Sequence, residues 1–375
     1  METQASKILK VDKADAEQWL SIAHKTLAEG GVVAFPTETV YGLAADIRND
    51  KGLCKLNFLK KRSPEKPYTV HISKPADMKR FVPKPFWFAQ ILSKKAWPGP
   101  VTLVIELDEQ QIDDCKSKFG KYFDRIYHKN SVGLRCPAHL AAQALFDDSD
   151  MIIAGPSANP AGAKPAYSAE EVFEYFGHDV DVIIDAGTVK YQKPSTVVKI
   201  TKKSYEILRE GVIDKRTIDK LTSFNIIFVC TGNTCRSPMA EGWGKKLIAE
   251  YIGCDESELE SRYKVNISSA GTFAGFGAPA SELAISVMQS YGIDISGHSS
   301  QPINLQKLLE ADIIYVMTAG HKDFINTLAP QVSDKVKLIR TGGVHDPIGG
   351  TREEYARSCE MIKNAIEQEI KELFQ

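Results

Sequence analysis

Cys230 and Arg236 lie in the run CTGNTCRS, a Cys-x5-Arg spacing suited to attack on phosphorus. The apolar stretch 225–229 before it reads as a buried strand, and the residues after it as a helix with Ser237 at the N-cap and Pro238 as its first residue. Backbone N–H groups of residues 231–236 then curl around one point, which the positive end of the helix also faces. Such an anion cradle favours the thiolate, the nucleophilic form of cysteine, and Arg236 offers a planar fork for two phosphoryl oxygens. The chemistry implied is phosphoryl transfer through a cysteinyl-phosphate, whose leaving group takes a proton from a carboxyl group on a facing loop. Asp346, in the turn-forming stretch HDPIGG, is the candidate donor. Bare Cys-x5-Arg spacing is weak, because a free cysteine is most often a small buried hydrophobe. The strand before it, Gly232 and Asn233 inside it, Ser-Pro after it and Asp-Pro beyond it make the pattern specific.

A second set of groups lies in the first two hundred residues. PTETVYGL is dense in hydroxyls, LKKRSPEKP gathers Lys60, Lys61, Arg62 and Lys66, and AGPSANPAG and KPSTVV add two serine loops. Cations, loop hydroxyls and backbone amides are what a nucleotide triphosphate needs when the P-loop pattern GxxxxGK[ST] is absent, as it is here. Taken singly, a KKR run is more often a solvated face, and Thr39 or Ser195 a turn or capping residue.

Holding these groups requires two domains, which 375 residues supply. Strands are expected over 101–105, 151–154, 182–184 and 196–200, with residues 30–46 as a glycine turn, a strand and a hydroxyl-rich loop. That mixture predicts an α/β domain over 1–213. The polar segment 214–223 reads as a linker. From 224 to 375 strands near 265–268 and 313–317 alternate with helical stretches, including 353–373, which predicts a doubly wound parallel sheet. Met239, Trp243 and Leu247 recur on one helical face expected to pack against that sheet. Hydrophobic residues at 43% and charged residues at 25% describe a globular chain, and 47 Lys and Arg against 48 Asp and Glu leave no overall field for nucleic acid or membrane. Without a leader-like or membrane-length apolar run, a cytoplasmic protein is expected, and its seven cysteines read as reduced thiols without zinc spacing.

Residues 224–375 resemble the low-molecular-weight protein phosphatases, with CTGNTCRS as the signature loop, SAGTFAGFGAPAS after it and DPIGG as the acid loop. The resemblance implies Cys230 as nucleophile, Arg236 as phosphate ligand and Asp346 as proton donor, with Thr231, Gly232, Asn233, Thr234, Cys235 and Ser237 shaping the loop. It implies no cofactor, and a reversible Cys230–Cys235 disulfide as a protected state. Thr234 resembles the threonine of bacterial protein-arginine phosphatases, and Ile348 and Gly349 stand where tyrosine-specific members carry aromatic rings, so phosphoarginine is the expected substrate. A tyrosine phosphatase is the rival; an arsenate reductase is disfavoured because Cys254 and Cys359 are not placed to relay a disulfide.

Residues 20–213 resemble the threonylcarbamoyl-adenylate synthases through PTETVYGL, WPGPVTLV, VGLRCP, PSANPAG, STVV and ILREG in order. The resemblance implies a twisted open α/β sheet with a central cleft that joins L-threonine, bicarbonate and ATP, with Mg2+, for later tRNA modification by a separate transferase. It implies threonine contacts from Thr39, His71, Arg135 and Ser195. It implies ATP contacts from Lys60, Arg62, Lys66, Ser131, Ser157, Asn159 and Arg209. Lys193-Pro194 before Ser195, and an ILREG without its usual proline, depart from the pattern. A non-catalytic RNA-binding module is the alternative.

Overall fold

Residues 30–46 fold as two strands joined by the hydroxyl loop, not as a strand running into a loop, because GLAAD is apolar enough to enter the sheet beside its neighbour. The computed structural model describes residues 7–11, 16–61, 67–147 and 150–374, and the chain separates into Met1–Thr222 and Ser223–Gln375. In the first unit the strands among the described residues are β1 (Lys7–Lys10), β2 (Val33–Phe35), β3 (Gly42–Asp46), β4 (Val70–His71), β5 (Val101–Glu106), β6 (Tyr127–His128), β7 (Ser131–Arg135), β8 (Ile153–Ala154), β9 (Val182–Asp185), β10 (Thr196–Ile200) and β11 (Tyr205–Arg209). They form one open, mixed sheet in the order β1-β9-β2-β3-β8-β4-β7-β5-β10-β11, with β6 on β7. One core joins Trp19 and Leu27 of an N-terminal helix to Phe35, Ile153 and Ile184 of the sheet and Phe146 of a further helix. Removing such side chains from water is the main stabilising term.

The expected linker 214–223 is instead largely helical. Asp214 caps the helix Lys215–Leu221 by accepting from the Thr217 N–H, and Ile218 is fully buried, so the segment belongs to the first unit. Its polarity is that of a capped amphipathic turn, which composition alone does not distinguish from a spacer.

The second unit is an all-parallel sheet, β13-β12-β14-β15, built from β12 (Phe224–Cys230), β13 (Val265–Gly271), β14 (Ile313–Val316) and β15 (Val336–Leu338). The chain passes from β12 to β13 on one side and to β14 on the other, so the order reverses at the carboxyl end of β12, where Cys230 stands. A doubly wound sheet opens its ligand crevice at that switch point. The helix Arg236–Ile252 leaves the cradle there, and Gly244 lets it approach the sheet: a Cβ at that position would lie 2.9 Å from the Phe228 ring. Trp243 does not face the sheet as expected. It packs beside the helix Arg352–Phe374, its indole N–H 3.2 Å from Cys359 Sγ, and Leu247 is only partly buried.

Candidate functional site

In the first unit, one row of the sheet carries the site. His71, Arg135, Thr102 and Val197 are successive partners across β4, β7, β5 and β10, so their side chains emerge on the same face. All four line a cavity of about 270 Å³ together with Lys60, Ser157, Ser195 and Arg209. Thr39 reaches it through Arg135, whose Nη2 donates to Thr39 Oγ1 at 2.7 Å. The hydroxyl loop is rigid because Thr37 Oγ1 accepts the N–H groups of Thr39 and Val40 and stands 2.9 Å from Thr39 Oγ1.

Sequence reasoning missed Glu38. Its carboxylate takes Arg135 Nη2 at 2.9 Å and the Ala138 N–H at 2.9 Å, and both members of the ion pair are almost fully buried. Arg135 Nε is buried with no hydrogen-bond acceptor among the described residues, an unmet donor on a side chain that lines the cavity. His71 sits edge-on to Phe35 and beside the ring of Phe146. Burial, with Arg135 nearby, pushes its ring down to about 3, so it is neutral near pH 7. The histidine is therefore both a core residue and a lining residue. Gly155 makes room for it, because a Cβ there would fall 2.0 Å from His71 Nδ1.

Lys60, in the last turn of the helix Asp50–Lys60, donates to the carbonyls of Ser157 and Asn159 at 2.6 and 2.5 Å. Ser157 in turn donates to Asn159 Oδ1 at 2.6 Å. Arg209 Nη2 donates to the Ser195 carbonyl at 2.9 Å, and Ser195 Oγ lies 2.9 Å from Thr102 Oγ1. Ser131 does not line the cavity: it stands at the far end of β7, opposite Glu106, about 13 Å along the strand from Arg135. Arg62 and Lys66 lie outside the described residues. Among the described residues none that lines the cavity is acidic.

In the second unit the cradle is contiguous in sequence. Asn233 adopts φ 55°, a left-handed conformation tolerated by asparagine, and its backbone N–H points at Cys230 Sγ at 3.3 Å. Ser237 Oγ lies 2.9 Å from the same sulfur, so Ser237 serves the thiol and does not cap the helix; the cap position is Cys235, without a side-chain bond. Asn233 Nδ2 donates to Ser237 Oγ and Ser269 Oγ, its Oδ1 accepts the Gln301 N–H, and its carbonyl meets His298 Nε2. Thr231, Gly232 and Thr234 form the partly open rim, and Cys235 Sγ turns away toward Tyr355 Oη at 3.3 Å.

Arg236 is buried, donating to the Val344 carbonyl at 3.2 Å and to Asp346 Oδ2 at 2.5 Å, while its Nε has no acceptor among the described residues. Arg236 and Asp346 thus share the wall of one cleft of about 620 Å³, with Thr231, next to Cys230, on its rim. Two features near it were not legible. His321 spans Thr231 Oγ1 and Thr318 Oγ1, 2.9 Å from each, and burial beside Arg236 lowers its ring to about 4. Phe273 and Phe276 are 75% and 85% exposed on a loop tied to the cradle by the Phe273 N–H donating to the Thr231 carbonyl. Among the described residues no cluster of three metal-binding side chains occurs, and no helix is long and apolar enough to cross a membrane.

Residues 25–211 match the Sua5/YciO/YrdC family, described as telomere recombination, and residues 225–375 match the low molecular weight phosphotyrosine protein phosphatase family. The chain is 32% identical over 182 residues to the threonylcarbamoyl-AMP synthase of Marinobacter nauticus, a match covering 48% of this chain and 90% of the relative. It is 33% identical over 208 residues to that of Pyrococcus abyssi, covering 55% of this chain and only 58% of that relative's length. A solved structure of a YwlE mutant from Bacillus subtilis is 34% identical, covering 41% of this chain and 100% of that one at a TM-score of 0.36.

Proposed function

We propose that this chain, which belongs to the threonylcarbamoyl-AMP synthase family by its first unit and to the low-molecular-weight phosphatase family by its second, is a cytoplasmic bifunctional enzyme. The first activity joins L-threonine, bicarbonate and ATP into threonylcarbamoyl-AMP and pyrophosphate, for use by a tRNA-modifying transferase. Arg135, with its vacant Nε donor, takes the threonine carboxylate, and Thr39, His71 and Ser195 surround the rest of that substrate. Lys60, Ser157, Asn159 and Arg209 shape the phosphate side, with Arg62, Lys66 and Ser131 assigned to ATP by resemblance alone. The carbamate formed from the threonine amine attacks the α-phosphorus, and pyrophosphate leaves.

The second activity is hydrolysis of a phosphoprotein. One observation carries it: the Asn233 N–H and the Ser237 hydroxyl converge on the Cys230 sulfur beside the Arg236–Asp346 pair. Arg236 exchanges Asp346 for phosphoryl oxygens, the released carboxylate takes up a proton from solvent, the thiolate attacks phosphorus, and Asp346 passes that proton to the leaving atom as its bond to phosphorus breaks. Water deprotonated by Asp346 then breaks the sulfur–phosphorus bond, yielding inorganic phosphate and the thiolate. Phosphoarginine is the substrate favoured by Thr234 on the rim and by Ile348 in place of a ring after Asp346-Pro347. The exposed Phe273 and Phe276 favour a second reading, an aryl phosphate stacked from the opposite loop.

Two assays test these readings. Pyrophosphate release from ATP and bicarbonate should require threonine; release independent of threonine removes the synthase. Phosphoarginine and phosphotyrosine peptides of one sequence, compared by kcat/KM, decide the substrate, and a higher value for phosphotyrosine overturns the arginine assignment.

A further inference from the structure

The phosphatase cleft holds more positive charge than the reaction consumes. Besides Arg236, a second arginine lines it, Arg340, and the only carboxylate among the lining residues is Asp346, already bonded to Arg236. Arg340 forms no ion pair with a carboxylate among the described residues; its Nη1 donates to the Gly343 carbonyl at 2.9 Å and lies 3.9 Å from Met361 Sδ.

The position of Arg340 is built by the backbone. Gly342 and Gly343 take φ of 81° and 71°, and the Gly343 N–H returns to the Arg340 carbonyl at 3.0 Å, closing a tight turn. Gly343 also passes so near β14 that a Cβ would stand 2.7 Å from the Met317 carbonyl. The next residue, Val344, donates its N–H to that same Met317 carbonyl and gives its own carbonyl to Arg236. One short segment therefore sets the guanidinium of Arg340, the second support of Arg236 and the proton donor Asp346 in a fixed relation.

We infer that Arg340 forms an anion subsite beside the reacting phosphoryl group and selects phosphoprotein segments with an acidic side chain close to the phosphorylated residue. The inference rests on the phosphatase reading of the second unit. A planar guanidinium with unused donors at an open rim suits a carboxylate, and the cleft has room for the flanking side chain. Because Arg340 is exposed, the contact acts mainly on binding and is screened by salt.

The experiment uses the full chain and a set of phosphopeptides in which a single glutamate is scanned along each flank, with glutamine at the same position as reference. At low ionic strength, one or more glutamate positions should raise kcat/KM roughly 3- to 10-fold over the glutamine peptide, chiefly through KM. Arg340→Gln should bring that ratio to about 1, Arg340→Lys should restore part of it, and added salt should erase it in the unmodified protein. Lys337→Gln, an exposed lysine on β15 outside the cleft, should keep the ratio. A ratio unchanged in folded Arg340→Gln, or no preference for glutamate at any position, overturns the subsite. Loss of the phosphatase reading would look different: no phosphopeptide would be turned over, or turnover would survive Cys230→Ser.

Discussion

The two candidate sites are assembled in opposite ways. In the second unit, nucleophile, cradle and fork come from eight consecutive residues, 230–237, and only Asp346 is brought in from afar. In the first unit Lys60, His71, Arg135, Ser157, Ser195 and Arg209 come from separate segments and line one cavity, with strand register aligning His71 and Arg135 and Thr39 held behind Arg135. A contiguous loop fails when one atom is changed, whereas a dispersed cavity fails when the frame that holds it relaxes.

The largest test of that difference is Cys230→Ser. It should lower phosphatase kcat by at least about 10⁴-fold while leaving threonine-dependent pyrophosphate release and melting temperature nearly unchanged. Arg135→Ala should act on both function and frame. Leaving Glu38 buried without its partner should cost about 3–5 kcal/mol of first-unit stability, read by denaturant midpoint, and the KM for threonine should rise together with that loss. A stable Arg135→Ala protein with normal threonine dependence would break the comparison.

Gly155→Ala tests how the frame positions a substrate group, His71, without removing it. Its methyl must displace His71, so a loss of roughly 1–3 kcal/mol is expected with a parallel fall in pyrophosphate release and none in phosphatase activity. The smallest effect is a pH dependence. His321 is neutral in the folded cleft and its ring is lowered to about 4, so the unfolded chain binds the extra proton between about pH 6.5 and 4. Its contribution is fully present above pH 6.5 and is lost as pH falls toward 4, with a slope of up to about 1.4 kcal/mol per pH unit. His321→Gln should flatten that limb for the second unit, measured by chemical unfolding at several pH values; an unchanged limb would remove the assignment.

The same contrast explains what sequence could show. Cys230, Asn233, Arg236 and Asp346 were legible because a strand, a turn and a helix start leave fixed local signals, and the parallel sheet followed from their alternation. Ser237 was misplaced as a cap, since its hydroxyl is drawn to sulfur and to Asn233, a choice decided by tertiary contact. In the first unit Lys60 stood out as a cation and Thr39 and Ser195 as loop hydroxyls, but their assignment to substrates came only through resemblance. Glu38 and Thr102 stayed hidden, because a buried ion pair and a register row exist only once β4, β5 and β7 are side by side. The helix Lys215–Leu221 reads as a linker in sequence because one buried isoleucine among polar neighbours is a faint amphipathic signal.

Every hydrogen-bonding group of the Asn233 side chain is satisfied by protein, and so is its carbonyl. The loop around Cys230 is therefore held in shape by protein contacts alone, and closing around an oxyanion demands little reordering. A receptacle so ready for the substrate's phosphoryl group is equally ready for the inorganic phosphate that remains after hydrolysis. Departure of that last product, and competition from phosphate already in solution, then become natural brakes on turnover.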